Sequence, residues 1–403
     1  MKGKINSIVY FGSDVISKGI PFLLMPFYTT LLTTEEFGQI SIFNVIVEIL
    51  LIITLFGGNT YYRAKFFDLA ERQRNKLRYW LYQQCCYMFV FLFVCIVILY
   101  RYTEFSLLIL TFAALIALFQ SFVFINQSHF QSDNKPFYFG IINITSSIAI
   151  AVVTISLLLA GLKEESRYYS YLCSSVVAVG VSLYIFKFKY GYNLKENKNH
   201  IGRKDAFIYG AKLLPHALSW WVKSGCDRII VSAVIGFGAV GVFSVASQYT
   251  MIYMVVSNAI LLAYSPVMTK MLSEKKLRES MVMVLKMSVF FLFCSLLCFI
   301  LSNVFFEYFI GESFKQGIEY VPYLLAASFV QSVISVVSNY FYYYDLVSRL
   351  SIFTFFSSLL HVVLAYFLSL RFEVFGVIYS SIFTYSISLF CMVFYLLKRN
   401  SRC

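Results

Sequence analysis

Apolar runs of about 20 residues recur along the whole chain, separated by short polar breaks. A run of that length is what an α-helix needs to cross the hydrocarbon core of a bilayer. The pattern predicts twelve spans: 10–32, 38–60, 79–100, 105–127, 137–160, 169–188, 207–235, 241–264, 282–304, 319–341, 350–370 and 376–397. The fold class expected is an all-α polytopic membrane protein, its twelve transmembrane helices in two pseudo-symmetric six-helix lobes around a central cavity. The seventh span departs from the others. It reads FIYGAKLLPHALSWWVKSGCDRIIVSAVI and carries Lys212, His216, Lys223, Asp227 and Arg228 in an otherwise apolar stretch. Ionisable groups inside a membrane helix are costly and suggest a function. On a helix the first four fall within roughly 60° of one another, a mainly basic stripe. Arg228 lies about 100° from Asp227 and close to the outer end, where pairing or snorkelling suits it.

Composition agrees with the pattern: 60% of the 403 residues are hydrophobic and 13% are charged. The net charge of +13 raises the question of nucleic acid, but the basic residues sit in short loops. Of the 33 Lys and Arg, 23 fall on the side that holds both termini, five on the opposite side and five within spans. That asymmetry sets topology, with both termini cytoplasmic, and argues for no nucleic-acid partner. The start, MKGKINSIVYFGSDVISKGIP, lacks the short apolar core and cleavage site of a signal peptide. The nine cysteines lie mostly within apolar runs; Cys294 and Cys298, one turn apart, read as packing residues rather than a metal pair. No cofactor and no metal is expected.

The basic stretch 187–206 near the midpoint suggests a 6+6 duplication, with lobes at 1–188 and 207–403 and a cytoplasmic linker at 189–206. Phe11-Gly12 and Tyr209-Gly210 open corresponding helices, and Phe37-Gly38-Gln39-Ile40-Ser41 parallels Val240-Gly241-Val242-Phe243-Ser244. Aligning Gly12 with Gly210 sets Asp14 against Lys212 and Lys18 against His216. Both halves then carry a polar i, i+4 pair on their first helix. Asp14 and Lys18 also read as a helix end at the surface, with Lys18 snorkelling.

Within the spans, Glu48 lies one turn from Asn44 in FNVIVEILLII. It is either an ion-coupling carboxylate or a structural hydrogen bond. Asp14, Glu48 and Asp227 are the candidates for coupling to H+ or Na+. Gln120, Asn126, Gln127, Gln248, Asn258, Gln331 and Asn339 suit sugar hydroxyls but serve helix–helix contacts at least as well. Trp220 lies beside the stripe and reads as a sugar-stacking ring or as helix packing. His361, a lone histidine, reads as a hydrogen-bonded helix contact. A Gly-rich phosphate loop and an HExxH motif are absent, and the outer loops are short. The chain is therefore read as not an enzyme.

Two stretches carry a resemblance. GSDVISKGIPFLLMPFYTTLLTTEEFGQISIF, with Glu35-Glu36-Phe37-Gly38, resembles the start of polysaccharide exporters. Cys226-Asp227-Arg228-Ile229-Ile230 followed by Gly236 to Ser244 is similar to a second pattern of that family. The chain resembles O-antigen (Wzx-type) flippases of the multidrug, oligosaccharidyl-lipid and polysaccharide exporter superfamily. The resemblance implies a bacterial inner-membrane flippase for an undecaprenyl-pyrophosphate-linked oligosaccharide, serving lipopolysaccharide biosynthesis beside a polysaccharide polymerase and a chain-length regulator. Membrane lipid would hold the tail. Lys18, Lys212, His216, Lys223 and Trp220 would line the substrate path. The alternatives are a cation-coupled multidrug exporter and a membrane polysaccharide polymerase or glycosyltransferase.

Overall fold

The computed structural model describes residues 12–13, 19–20, 22–103, 105–189 and 203–400. These are helical nearly throughout. In chain order the helices are α1 (Met25–Leu31), α2 (Thr34–Leu55), α3 (Gly58–Lys65), α4 (Glu71–Leu99) and α5 (Leu107–Ser132). They continue as α6 (Pro136–Leu159), α7 (Glu165–Lys189), α8 (Arg203–Val234), α9 (Phe237–Ser273) and α10 (Leu277–Phe309). A 3-10 segment (Glu312–Tyr320) leads into α11 (Val321–Tyr343), and α12 (Val347–Phe372) and α13 (Val374–Asn400) follow.

Ten helices among the described residues are long and apolar enough to cross a membrane. The chain is a multi-pass membrane protein. Of the twelve spans expected, 10–32 is described only in part. The helix at 207–235 is not among the ten, although α8 has 32 residues, because its charges lower its hydropathy. The second span ends earlier than its apolar pattern suggests. Phe56 and Gly57 both take positive φ, at 45° and 70°, and break the helix before α3. Gly57 relieves the strain such backbone imposes on a side chain.

Tight reversals join several helices. Asn134, Lys275 and Asp345 take positive φ. The next N–H in each case bonds back five residues, Lys135 to Phe130 at 2.8 Å, Lys276 to Met271 at 2.9 Å and Leu346 to Phe341 at 2.8 Å. This is the Schellman arrangement, which satisfies the last helical carbonyls without a long loop.

The chain packs as two compact units, residues 1–27 with 43–218, and residues 28–42 with 219–403. The sequence boundary at 188–207 differs from this division at two places. Segment 28–42 groups with the second unit, and the first half of α8 groups with the first. Part of the expected linker, 190–202, lies outside the described residues.

In the first unit, Phe43, Val47 and Leu50 of α2 meet Ala113, Ala114 and Ala117 of α5. Small residues at a crossing let helices approach closely where lipid removes the usual hydrophobic drive. Two of the amides act as helix contacts here: Asn126 donates to Ser182 Oγ at 2.9 Å and Gln127 to Asn143 Oδ1 at 2.6 Å. The start of α8 also belongs here. Phe207 stacks on Phe56 at 5.1 Å, and Tyr209 lies 5.4 Å from Tyr61.

In the second unit, a core of Val337, Phe341, Leu350 and Met392 joins α11, α12 and α13. Ser265 donates to Asn339 Oδ1 at 2.6 Å. Segment 28–42 is seated by backbone approaches that only glycine permits. A Cβ on Gly38 would lie 1.9 Å from the Phe237 carbonyl oxygen, and one on Gly241 2.0 Å from that of Thr34. Gly311 lies equally close to Thr29, whose Oγ1 accepts its N–H at 3.0 Å.

Candidate functional site

The charged stripe of α8 divides along its length. Lys212, His216 and Trp220 follow one another at four-residue spacing and are exposed. Lys212 and His216 belong to the first unit and Trp220 to the second. Pro215 sits between the two polar residues inside the helix. From Lys223 onward the same side of the helix turns into a polar cluster within the second unit.

That cluster is built from three helices. On α8, Lys223 Nζ donates to Ser357 Oγ of α12 at 3.0 Å and lies 5.0 Å from the Tyr385 ring of α13. Ser357 Oγ in turn donates to the Thr384 carbonyl at 3.0 Å. One turn further, Asp227 Oδ1 meets His361 Nε2 at 2.8 Å. The other imidazole nitrogen, Nδ1, faces Ser380 Oγ of α13 at 3.0 Å. His361 and Asp227 are both buried. The i, i+4 spacings Lys223/Asp227 and Ser357/His361 set the two rungs one helical turn apart. Ser358 adds a bond from α12 to the Ser219 carbonyl of α8 at 3.3 Å.

A carboxylate in a membrane helix must be paired, protonated or wet, and here it is paired. The arrangement holds one cation from Lys223 and one anion from Asp227, with an imidazole that adds a second positive charge when it takes a proton. Arg228 stands apart, as its angle on the helix implies. Its Nε donates to Ser244 Oγ at 3.2 Å.

The other sequence candidates lie elsewhere. Glu48 is exposed on α2, on the side away from the buried Phe43, Val47 and Leu50. Asn44, one turn before it, has a buried Oδ1 with no hydrogen-bond partner among the described residues. Asp14 and Lys18 lie outside the described residues. The structure thus brings together Lys223 and Asp227 from the candidate set and adds His361, Ser357, Ser380 and Tyr385. His361 is the hydrogen-bonded helix contact expected of it. Its partner was not legible, though a buried Asp227 demanded one and the apolar spans offer few groups to fill that role.

The described fold is that of a known class of membrane transporters. It superposes on an inward-facing multidrug resistance MATE family transporter of the MOP superfamily with a TM-score of 0.76 and 14% identity, covering 98% of this chain and 95% of that one. It superposes on the lipid II flippase MurJ, in an inward closed conformation, with a TM-score of 0.72 and 14% identity, covering 97% and 87%. Identity at that level speaks to fold alone. The sequence places the chain more closely: it belongs to the polysaccharide biosynthesis protein family, whose profile matches residues 4–272. The Lsg locus protein 1 of Haemophilus influenzae is 25% identical over 281 residues, 69% of this chain and 68% of that protein. An uncharacterized membrane protein of the same species is 23% identical over 362 residues, 86% and 85% of the two chains. The resemblance to polysaccharide exporters holds at the level of the family.

Proposed function

We propose that the protein is a flippase that moves an undecaprenyl-pyrophosphate-linked oligosaccharide from the cytoplasmic to the periplasmic leaflet of the bacterial inner membrane. It is read as a transporter and not an enzyme, working by alternating access of two six-helix lobes (1–188 and 207–403), with both termini cytoplasmic. The observation that carries this is the row of cations on α8, in a chain of the polysaccharide biosynthesis family with a MATE-like and MurJ-like fold. A pyrophosphate cannot enter hydrocarbon unassisted, and Lys212, His216 and Lys223 offer charge-assisted hydrogen bonds to it. Lys18, which lies outside the described residues, is a further cation to test. Trp220, exposed beside these residues, is suited to stack on the first sugar ring. Transport is coupled to an ion gradient or the membrane potential, with Asp14, Glu48 and Asp227 as the carboxylates to test. A polysaccharide polymerase and a chain-length regulator would act on the product.

The test uses purified protein in liposomes with a fluorescent polyprenyl-pyrophosphate sugar and a membrane-impermeant quencher. Flipping is expected, and Lys212→Ala and Lys223→Ala should slow it while inserting normally. Wild-type flipping in both variants would remove the α8 cations from the mechanism. Export of cationic drugs in place of lipid would favour the multidrug reading, which a basic helix suits poorly.

A further inference from the structure

The hydrogen bonds around His361 leave one proton undecided. Nε2 faces a carboxylate oxygen at 2.8 Å and must carry a hydrogen when Asp227 is ionised. Ser380 Oγ lies 3.0 Å from His361 Nδ1 and also 3.0 Å from the His361 carbonyl oxygen. A serine hydroxyl has a single hydrogen and two lone pairs. If it donates to Nδ1, the imidazole is neutral. If it donates to the carbonyl, the lone pairs of Oγ face Nδ1, and that nitrogen must donate, which makes the ring an imidazolium. One set of heavy-atom positions therefore satisfies both protonation states, and rotation of one hydroxyl exchanges them.

We propose that Asp227, His361 and Ser380 form a proton-binding site, in which His361 Nδ1 takes up one proton and the Ser380 hydroxyl swings to the His361 carbonyl. No bond between heavy atoms forms or breaks; the proton comes from the aqueous phase and returns to it. The other titratable groups near the pair are Lys223 and Cys226 on α8 and Tyr385 on α13. Arg228, next to Asp227 in sequence, is turned to Ser244 and Phe243. Lys223 opposes uptake of a second positive charge and Asp227 favours it. Uptake changes the net charge of Lys223, Asp227 and His361 from zero to +1.

This deepens the flippase reading and rests on it only for what the proton does. A cluster that becomes cationic on protonation binds an anionic pyrophosphate group more tightly, and by linkage the anion promotes proton uptake. A coupling of about 5- to 150-fold is the usual range.

The experiment follows the imidazole 15N signals of histidine-labelled protein in nanodiscs between pH 5 and 9, with His361→Gln to assign the resonance. His361 is expected to titrate in that range with Nε2 protonated throughout. Asp227→Asn should lower its midpoint strongly, because the imidazolium loses its counter-charge. Ser380→Ala should lower it less, because the added N–H loses its acceptor. A His361 signal fixed in one protonation state across the range overturns the site, and so does a midpoint that ignores both substitutions. Adding a polyprenyl pyrophosphate lipid should raise the midpoint; a midpoint that does not move removes the link to the anion. The flipping assay above is run in parallel. Flipping without His361 titration leaves the flippase reading and removes the proton site, and titration without flipping does the reverse.

Discussion

Gly241→Ala tests the seating of segment 28–42 in the second unit. The added Cβ would lie 2.0 Å from the Thr34 carbonyl oxygen and 2.9 Å from its carbon. Both groups are backbone, so no side chain can turn aside. Contact at van der Waals distance requires α2 and α9 to part by roughly 1 Å, and overpacking of this kind costs about 1–3 kcal/mol, sometimes more. Alanine regains up to about 1 kcal/mol of helix propensity over glycine. A net loss near 2 kcal/mol multiplies the undocked population of the segment about 30-fold. Ser41 is buried in this segment and serves as the reporter. Ser41→Cys in a background without the other cysteines should react with a maleimide about 30-fold faster when Gly241→Ala is added. Gly238→Ala is the control. Its Cβ would meet Thr34 Oγ1 at 3.4 Å and Glu35 Cγ at 3.6 Å, which is ordinary contact, so labelling should stay at the parent rate. Equal labelling in the Gly241 and Gly238 variants would refute the close-packing argument.

Other outcomes follow from the same contacts. His361→Leu leaves Asp227 buried without its partner and should cost about 3–5 kcal/mol, read as a lower apparent melting temperature in detergent; adding Asp227→Leu should restore much of it. Gln127→Leu removes the bond to Asn143 and should cost about 0.6–1.7 kcal/mol in the same assay. Lys275→Gly relieves a positive φ in the turn between α9 and α10 and should raise the melting temperature slightly. The hydrogen bond from Lys276 holds the Glu274 carboxyl below its ordinary range. Whatever stability that bond adds is present above the ordinary carboxylate range and disappears as pH falls through the depressed value. Both groups are in solvent, so Glu274→Gln should leave the melting temperature unchanged in moderate salt.

The membrane class, the helical fold and most span positions were legible because they rest on local pattern. Twenty apolar residues in water-free surroundings must satisfy their own backbone, and a helix does so within the segment. Even the oddity of α8 was legible, since Lys212, His216, Lys223 and Asp227 break an apolar run. Two things came only from the tertiary structure. One is the close approach of Phe56, at the break before Gly57, to α8, where Gly210 leaves room for the Phe56 carbonyl. The second is the division of the stripe. Asp227 and His361 are 134 residues apart, and Ser380 is 19 further on. No periodicity links them, since the three residues lie on three different helices. The sequence by itself determined that α8 bears costly charge in a membrane. Packing of α8, α12 and α13 decided which of those charges are buried together and which stay exposed, because the partners that make burial tolerable come from distant helices.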